Sequence, residues 1–180
     1  MSETAPESQV EVSPALNEEQ PVVERLLELY IHDLSEYFEV AVKEDGRFGY
    51  PQLPLYWSES GRYPFLIRVN GRIAGVVLVR RLDRVESGPV WDIAEFFVMR
   101  SYRRHGTGAC AARAVWSRFP GRWQVRVLKA NGGALEFWER TIRRFSGGAF
   151  GMASLEAGGA EWSVFSFLSR ATSDAAETAR

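Results

Sequence analysis

The sequence predicts a mixed α/β fold in which helices flank a central, mostly antiparallel sheet. Asn70-Gly71 joins two apolar runs, and this dipeptide favours a tight β-hairpin because both positions tolerate a positive φ. Two other segments carry apolar residues three and four apart, which is the spacing of an amphipathic helix. Around residues 91–128 the chain alternates strand, helix and strand, adding one parallel crossover to the antiparallel pairs. A repeated, doubly wound sheet is therefore not expected.

The predicted elements follow the order α-loop-β-β-β-α-β-α-β-β. The first helix is expected at 18–42, where one face carries Leu27, Tyr30, Leu34, Phe38 and Ala41. A loop rich in glycine, proline and aromatic residues follows at 43–61. A loop of this length is often functional, although its aromatic residues could equally pack over the core. Strands of the hairpin are expected at 63–69 and 72–82, and a third strand at 90–99.

The second half of the chain continues the alternation. It is expected to hold a helix at 107–119, a strand at 123–128, a helix at 131–145 and two closing strands at 149–155 and 161–168. Pro-Gly and Gly-Gly pairs separate these elements, and such pairs end helices and form turns.

Length and composition indicate one packed domain. The chain has 180 residues, of which 46% are apolar and 13% aromatic, enough to build a sizeable core. The domain is expected at 18–170. The polar segment 1–17 is expected to be disordered, and 171–180 to be a flexible tail.

Charge and residue counts exclude several functional classes. The 22 basic and 23 acidic residues nearly cancel, which gives no support for binding nucleic acid. No apolar stretch approaches the roughly 18 residues of a membrane span, and no secretory signal is recognisable, so a cytoplasmic protein is expected. One cysteine and two histidines allow neither a disulfide framework within the chain nor a histidine-rich metal site, and no metal is expected.

A basic turn carries the clearest functional signal. Arg103-Arg104-His105-Gly106-Thr107-Gly108 comes between a predicted strand and a predicted helix. The first turn of a helix offers unpaired N–H groups and the positive end of the helix dipole, and glycine lets an anion approach the backbone closely. The turn is therefore expected to bind a phosphate group.

Three phosphate ligands are weighed for this turn. A dinucleotide fold expects an acidic residue about 20 residues on, at the end of the next strand, but Leu128-Lys129-Ala130-Asn131 contains none. This possibility stays weakly open through Lys129, which could meet a 2′-phosphate. A nucleotide triphosphatase is set aside because no Gly-Lys-Ser/Thr is present. The third ligand is coenzyme A.

The sequence resembles the GCN5-related N-acetyltransferase (GNAT) family, whose cofactor motif is Arg/Gln-x-x-Gly-x-Gly/Ala. Residues 103–108 match every fixed position. The family also opens a later helix with Asn and follows it with Ala and an aromatic pair, here Asn131, Ala134 and Phe137-Trp138. The order of elements agrees over 18–168. The resemblance implies a GNAT-type acyl-CoA N-acyltransferase fold, and direct transfer of an acetyl group from acetyl-CoA to a primary amine.

Position by position, the resemblance implies a set of residues that bind acetyl-CoA. The N–H groups from Arg104 to Ala109 are expected to hold the pyrophosphate, and the backbone of Val98 and Arg100 to pair with the pantetheine arm. A backbone N–H near Val98 is the expected oxyanion donor, and Asn131 is expected to bond the arm or adjacent backbone. The full cofactor set is Phe97, Val98, Met99, Arg100, Arg103, Arg104, His105, Gly106, Thr107, Gly108, Ala109, Asn131, Ala134 and Phe137.

Glu95 is the candidate general base. An amine with a pKa of about 10.4 must lose a proton before it attacks at neutral pH. Glu95 interrupts an apolar run, and a buried carboxylate without a partner is costly, so it is expected to face a cleft. Asp92, nearer the start of the strand, is the second candidate. The alternative is that Glu95 pairs with Arg80 or Arg126 in a structural role.

One position departs from the family pattern. Many members carry a tyrosine acid after the Phe of the last helix, where this chain has Trp138. A thiol pKa of about 8.5 makes the thiolate a tolerable leaving group without that acid. Tyr102 is the candidate substitute for this acid, and Tyr30 is a second option. The alternative from another class is a non-catalytic acyl-CoA-binding or sensor module.

The acceptor is expected to be an amine of a small molecule or peptide that enters between the first helix and the end of the third strand. Four acidic residues there are predicted to form a wall suited to a cationic amine: Glu28, Asp33, Glu36 and Glu39. The alternative is that they form a solvated helix face. A homodimer is left open.

Overall fold

The computed structural model describes residues 8–84 and 88–170. Its strands are β1 (Val10–Pro14), β2 (Arg62–Val69), β3 (Arg72–Arg84), β4 (Gly88–Val98), β5 (Gly121–Leu128), β6 (Phe150–Ala157) and β7 (Ala160–Ser169). Its α-helices are α1 (Gln20–Leu34), α2 (Leu55–Ser58), α3 (Thr107–Arg118) and α4 (Gly132–Phe145). Within these residues, no helix has the length and apolar character needed to cross a membrane.

The seven described strands form one sheet in the order β1-β2-β3-β4-β5-β7-β6. Every neighbouring pair is antiparallel except β4 and β5, which confirms the predicted mixed, mostly antiparallel architecture. The parallel pairing ends at Ile93↔Val125. Both strands run on, β4 to Val98 and β5 to Leu128, without pairing with each other. The sheet therefore parts along 94–98 and 126–128, and this gap is called the β4–β5 opening.

Helices cover both faces of the central strands, and each face has its own core. On one face, residues of α3 and α4 such as Trp116, Trp138 and Ile142 pack against β5 and β7. On the other, Leu27 of α1 packs with Leu78 and neighbouring side chains of β2 to β4. Because both faces are covered, β2 and β3 are continuous apolar runs rather than alternating ones.

Two local features of the strands follow from the sequence. Asn70 and Gly71 have φ values of 51° and 75°, which confirms the predicted tight hairpin between β2 and β3. In β4, Glu95 pairs with Leu78 and Ile93 pairs with Val79, so one extra residue bulges out between them. A bulge bends a strand and re-aims its side chains. This bulge lies where the pairing of β4 with β5 ends.

The structure corrects three element boundaries. Residues 10–14, expected to be disordered, form β1 and pair with β2, whereas 1–7 and 171–180 lie outside the described residues. The first helix ends at Leu34 rather than 42, because Ser35 Oγ donates to the His32 carbonyl 2.7 Å away and Phe38 finds no core to pack on. The loop at 43–61 contains the short helix α2.

Candidate active site

The backbone of β4 faces the opening at Val98. The Met99 N–H donates to the Ala74 carbonyl of β3 at 2.8 Å. Since backbone groups alternate in direction along a strand, the N–H and carbonyl of Val98 point away from β3 and into the opening. Arg103 Nε donates a hydrogen bond to the Val98 carbonyl oxygen at 2.7 Å. The Val98 N–H, which the sequence resemblance implies as the oxyanion donor, therefore faces the opening.

The basic turn has the backbone of an anion-binding loop. Arg104 and Gly106 have positive φ values of 65° and 81°, and Gly106 is the N-cap of α3. Among the described residues, no backbone carbonyl accepts from the N–H groups of 104–109. A run of N–H groups without backbone partners at a helix start is suited to a phosphate group. We call residues 103–109 the cofactor loop.

Aromatic rings lie beside the cofactor loop. A Cβ added at Gly108 would lie 3.1 Å from the Phe137 ring, so only glycine lets the helix approach this ring without a shift. Phe137 stacks on Phe96 of β4 with ring centroids 6.0 Å apart. Phe137 is therefore next to the cofactor loop. Asn131 Oδ1 accepts from the Ala134 N–H at 2.9 Å, so this oxygen caps α4.

Two arginines predicted to strengthen the anion site are tied to α1. Asp33 accepts from Arg100 Nη2 at 2.7 Å and from Arg103 Nη2 at 2.5 Å. Burial works to raise the pKa of Asp33, but the hydrogen bonds and charges of the two arginines outweigh it and hold this pKa below its ordinary value. Asp33 therefore joins α1 to the cofactor loop and is not part of a free acidic wall.

Glu95 lies on the α1 face of β4, held by two tyrosines. The Tyr50 hydroxyl donates to Glu95 Oε1 at 2.8 Å, and Tyr30 of α1 also hydrogen-bonds this carboxylate. Burial raises the pKa of Glu95, and these hydrogen bonds, together with the charges of Arg126 and Arg80, oppose the increase without cancelling it. A carboxylate with a raised pKa beside an opening in the sheet has the properties of a general base.

Asp92 forms ion pairs with Arg80 and Arg126, the two arginines considered as partners for Glu95. It is 0% exposed and accepts from Arg80 Nε at 2.8 Å, Gln124 Nε2 at 3.0 Å and Arg126 Nη2 at 3.2 Å. Each donor comes from a strand that neighbours β4 at this point. Its carboxylate is therefore bound within the sheet, whereas Glu95 forms no ion pair with either arginine among the described contacts.

The loop at 43–61 both packs and reaches the site. Glu28 of α1 accepts from the Phe48 N–H at 2.8 Å and the Gly49 N–H at 2.9 Å, and the next residue is Tyr50. Tyr56 is in the core. The loop therefore places Tyr56 in the core and Tyr50 against Glu95, and its functional role stays a prediction.

Tyr102 is not close to Glu95. It packs against the core formed with α3 and α4, on the opposite face of the sheet from Tyr30 and Tyr50. Trp138 is buried in the same core as Tyr102. The structure thus does not bring Tyr102 to the candidate base.

Sequence reasoning did not identify the hydrogen-bond partners of Glu95 or the ion-pair partners of Asp92. Tyr30 was considered as a substitute acid, and neither it nor any aromatic residue of the 43–61 loop was assigned to Glu95. The pair Arg80↔Asp92 could have been found, because these residues lie opposite each other in the hairpin-like β3–β4 pairing and carry opposite charges. Nothing local in the sequence places residue 50 against residue 95.

Several solved structures share this fold. An acetyltransferase of the GNAT family from Streptococcus pneumoniae is 17% identical, with a TM-score of 0.59, over 89% of this chain and 99% of that one. Arabidopsis thaliana Naa50, in complex with the bisubstrate analogue CoA-Ac-MVNAL, is 14% identical, with a TM-score of 0.56, over 87% and 97%. The ribosomal-protein-S18-alanine N-acetyltransferase from Escherichia coli is 12% identical, with a TM-score of 0.54, over 92% and 97%.

Sequence comparison gives the family directly. No curated protein sequence matches the chain. The model described as "Acetyltransferase (GNAT) family" matches residues 23–142, more than half of the chain, and this range includes Glu95, the cofactor loop and most of α4. The protein therefore belongs to the GNAT family of acetyltransferases.

Proposed function

We propose that this acetyltransferase moves an acetyl group from acetyl-CoA to a primary amine at the β4–β5 opening, with Glu95 as the general base. The observation that carries the proposal is the position of Glu95. It lies three residues before Val98 on the strand whose backbone faces the opening, and its carboxylate has a raised pKa.

The cofactor loop fits the phosphates of coenzyme A. The unpaired N–H groups of 104–109 would hold the pyrophosphate, and Gly108 keeps the helix close to Phe137. When bound, acetyl-CoA supplies an acetyl group already activated as a thioester. The Val98 N–H is the donor that would stabilise the oxyanion, a contribution typically worth about 10²–10³ in rate.

The two tyrosines favour the ionised form of Glu95 and so limit the rise of its pKa. Burial and the nearby Glu95 raise the pKa values of Tyr30 and Tyr50 well above that of an ordinary tyrosine, so both hydroxyls stay protonated and act as donors. Neither is proposed as the acid for the leaving thiolate. The mechanism needs no such acid, because a thiolate leaves readily near neutral pH.

An acceptor screen tests this proposal. Thiol release from acetyl-CoA would be followed over amino acids, peptides, polyamines and aminoglycosides, with the acetylated product identified by mass spectrometry. We expect N-acetylation of at least one class. One structural neighbour is in complex with the bisubstrate analogue CoA-Ac-MVNAL and another is a ribosomal-protein-S18-alanine N-acetyltransferase, so peptides are a necessary part of the panel. Binding of CoA without transfer to any amine would instead favour the non-catalytic module.

A further inference from the structure

We infer that the acceptor carries a carboxylate close to its reacting amine, and that Arg80 and Arg126 bind that carboxylate while Glu95 takes the amine proton. The inference rests on the proposed function. It concerns the class of acceptor and replaces the expectation of a cationic amine.

The two arginines present donors to the cleft above a buried anion. Asp92 is completely buried beneath them, whereas the Arg80 and Arg126 side chains are 29% and 32% exposed. A molecule approaching this part of the sheet therefore meets guanidinium groups before it meets the Asp92 carboxylate. A paired guanidinium arrangement favours carboxylate recognition, because its planar donors match two oxygens.

Each guanidinium retains donors after binding Asp92. An arginine has five N–H groups, and Asp92 takes one nitrogen from Arg80 and one from Arg126. Arg126 Nε is buried and has no hydrogen-bond partner among the described residues.

The position of Arg126 relates this donor pair to the base. Val125 is the last β5 residue paired with β4, so Arg126 is the first β5 residue beyond that pairing, across the opening from 94–95. Both Arg126 and Arg80 act electrostatically on Glu95. An acceptor bound here would thus have its carboxylate on the arginines and its amine beside Glu95.

A groove continues from Arg126 over the uncovered half of the sheet. Its volume is about 1300 Å³, and its lining includes Arg126, Gln124, Val164 and Leu168. Such a groove has room for the apolar body of a small amino acid derivative or for a short peptide. The chemistry shared by both is a primary amine with a carboxylate nearby.

The acidic residues of the predicted first helix, expected to attract a cationic amine, also give little support for a polycation. Two of these four carboxylates already bind groups of this chain. Glu28 binds backbone N–H groups of the 43–61 loop, and Asp33 binds Arg100 and Arg103. The acceptor side of the cleft is therefore less acidic than the sequence suggests.

Matched acceptor pairs test this inference on the wild-type enzyme. One arm compares free amino acids with their α-amides. A second arm compares peptides with Asp or Asn at the second position, which separates a free amino acid from a peptide source. We expect kcat/KM to be at least about tenfold higher for the carboxylate member of one arm, as charged hydrogen bonds imply. The amide's less basic amine would otherwise favour the amide.

Variants show which residues cause the preference. Arg126→Gln should reduce the ratio of kcat/KM between carboxylate and amide acceptors toward one, whereas a purely structural loss would lower both values and leave their ratio unchanged. Arg140→Gln, at an exposed position on α4, is the control that should change neither. Transfer to amides with no preference for the carboxylate in either arm would overturn the inference and leave the proposed function standing. Transfer to no amine would overturn both.

Discussion

Two opposing effects determine the pKa of Glu95. Burial disfavours its ionised form, and donors from Tyr50 and Tyr30 with two nearby arginines favour it. The outcome is a raised pKa, which brings the carboxylate closer to the pH at which a general base works best. The tyrosines therefore tune the base as well as orient it.

Removing one donor should shift the pH dependence of the reaction. In Tyr50→Phe the ionised form of Glu95 loses a hydrogen bond, so its pKa rises further. A base acts when ionised, and the rise of kcat/KM with pH should therefore move to higher pH. The measurement is the pH profile of kcat/KM, with Tyr63→Phe as the control at a site away from Glu95. An acid limb that stayed in place, or moved to lower pH, would contradict this role.

The same raised pKa has a consequence for stability. The folded protein keeps the Glu95 proton over a pH range in which the unfolded chain releases it. The stability gained in this way is present below the unfolded-state pKa of glutamate and is lost as pH rises through the folded-state pKa. Glu95→Gln cannot ionise, so its stability relative to wild type should increase with pH across this range. Urea unfolding at a series of pH values measures the difference, and a pH-independent difference would refute the prediction.

At the scale of elements, the β4–β5 opening and the cofactor loop form one unit. Arg103 belongs to the loop, and its guanidinium bonds both the Val98 carbonyl at the opening and Asp33 on α1. Helix α1, the end of β4 and the cofactor loop are thereby held together. A change in the loop backbone should consequently affect cofactor binding more than folding.

A pair of glycine substitutions tests the loop. Gly106 and Gly46 have φ values of +81° and +78°, and a Cβ at either would meet open space, so alanine imposes a similar backbone penalty of about 1 kcal/mol at both. Only Gly106→Ala disturbs the N–H groups proposed to bind pyrophosphate. We expect the Kd for CoA, measured by calorimetry, to rise about tenfold in Gly106→Ala. It should stay near the wild-type value in Gly46→Ala, and equal effects would count against the loop.

At the scale of the whole molecule, the close contact of β3 and β4 sets the geometry of the site. A Cβ at Gly75 would lie 2.0 Å from the Phe97 carbonyl oxygen, which is backbone and cannot move aside cheaply. Gly75→Ala should therefore destabilise the fold by about 3 kcal/mol. For a chain of this size that corresponds to a fall in Tm of roughly 6–12 °C.

The control for this stability measurement is a glycine with space around it. Gly132 begins α4 and has nothing within 4 Å of an added Cβ. Gly132→Ala should leave Tm unchanged or slightly higher, because alanine is the better helix former. Thermal unfolding of both variants followed by circular dichroism makes the comparison. A Gly75→Ala variant as stable as wild type would contradict the close strand approach.

The parts of the fold that could be predicted are those with local signals. Asn70-Gly71 fixes a turn by its own backbone preferences, and the helix over 107–118 begins directly after Gly106. Strand β1 escaped prediction because its five residues are ordered by pairing with β2, more than fifty residues away. The site divides in the same way: the cofactor loop is a contiguous motif, whereas Tyr50 reaches Glu95 only through the tertiary fold.

The most direct test of the central claim is the steady-state acetylation rate of Glu95→Gln with the best acceptor found, measured near neutral pH. If Glu95 is the general base, kcat/KM should fall about 10²–10⁴-fold. Binding of CoA should stay intact, and Glu136→Gln on the exposed face of α4 should behave as wild type. A Glu95→Gln enzyme that kept the full kcat/KM of the wild type would contradict the account.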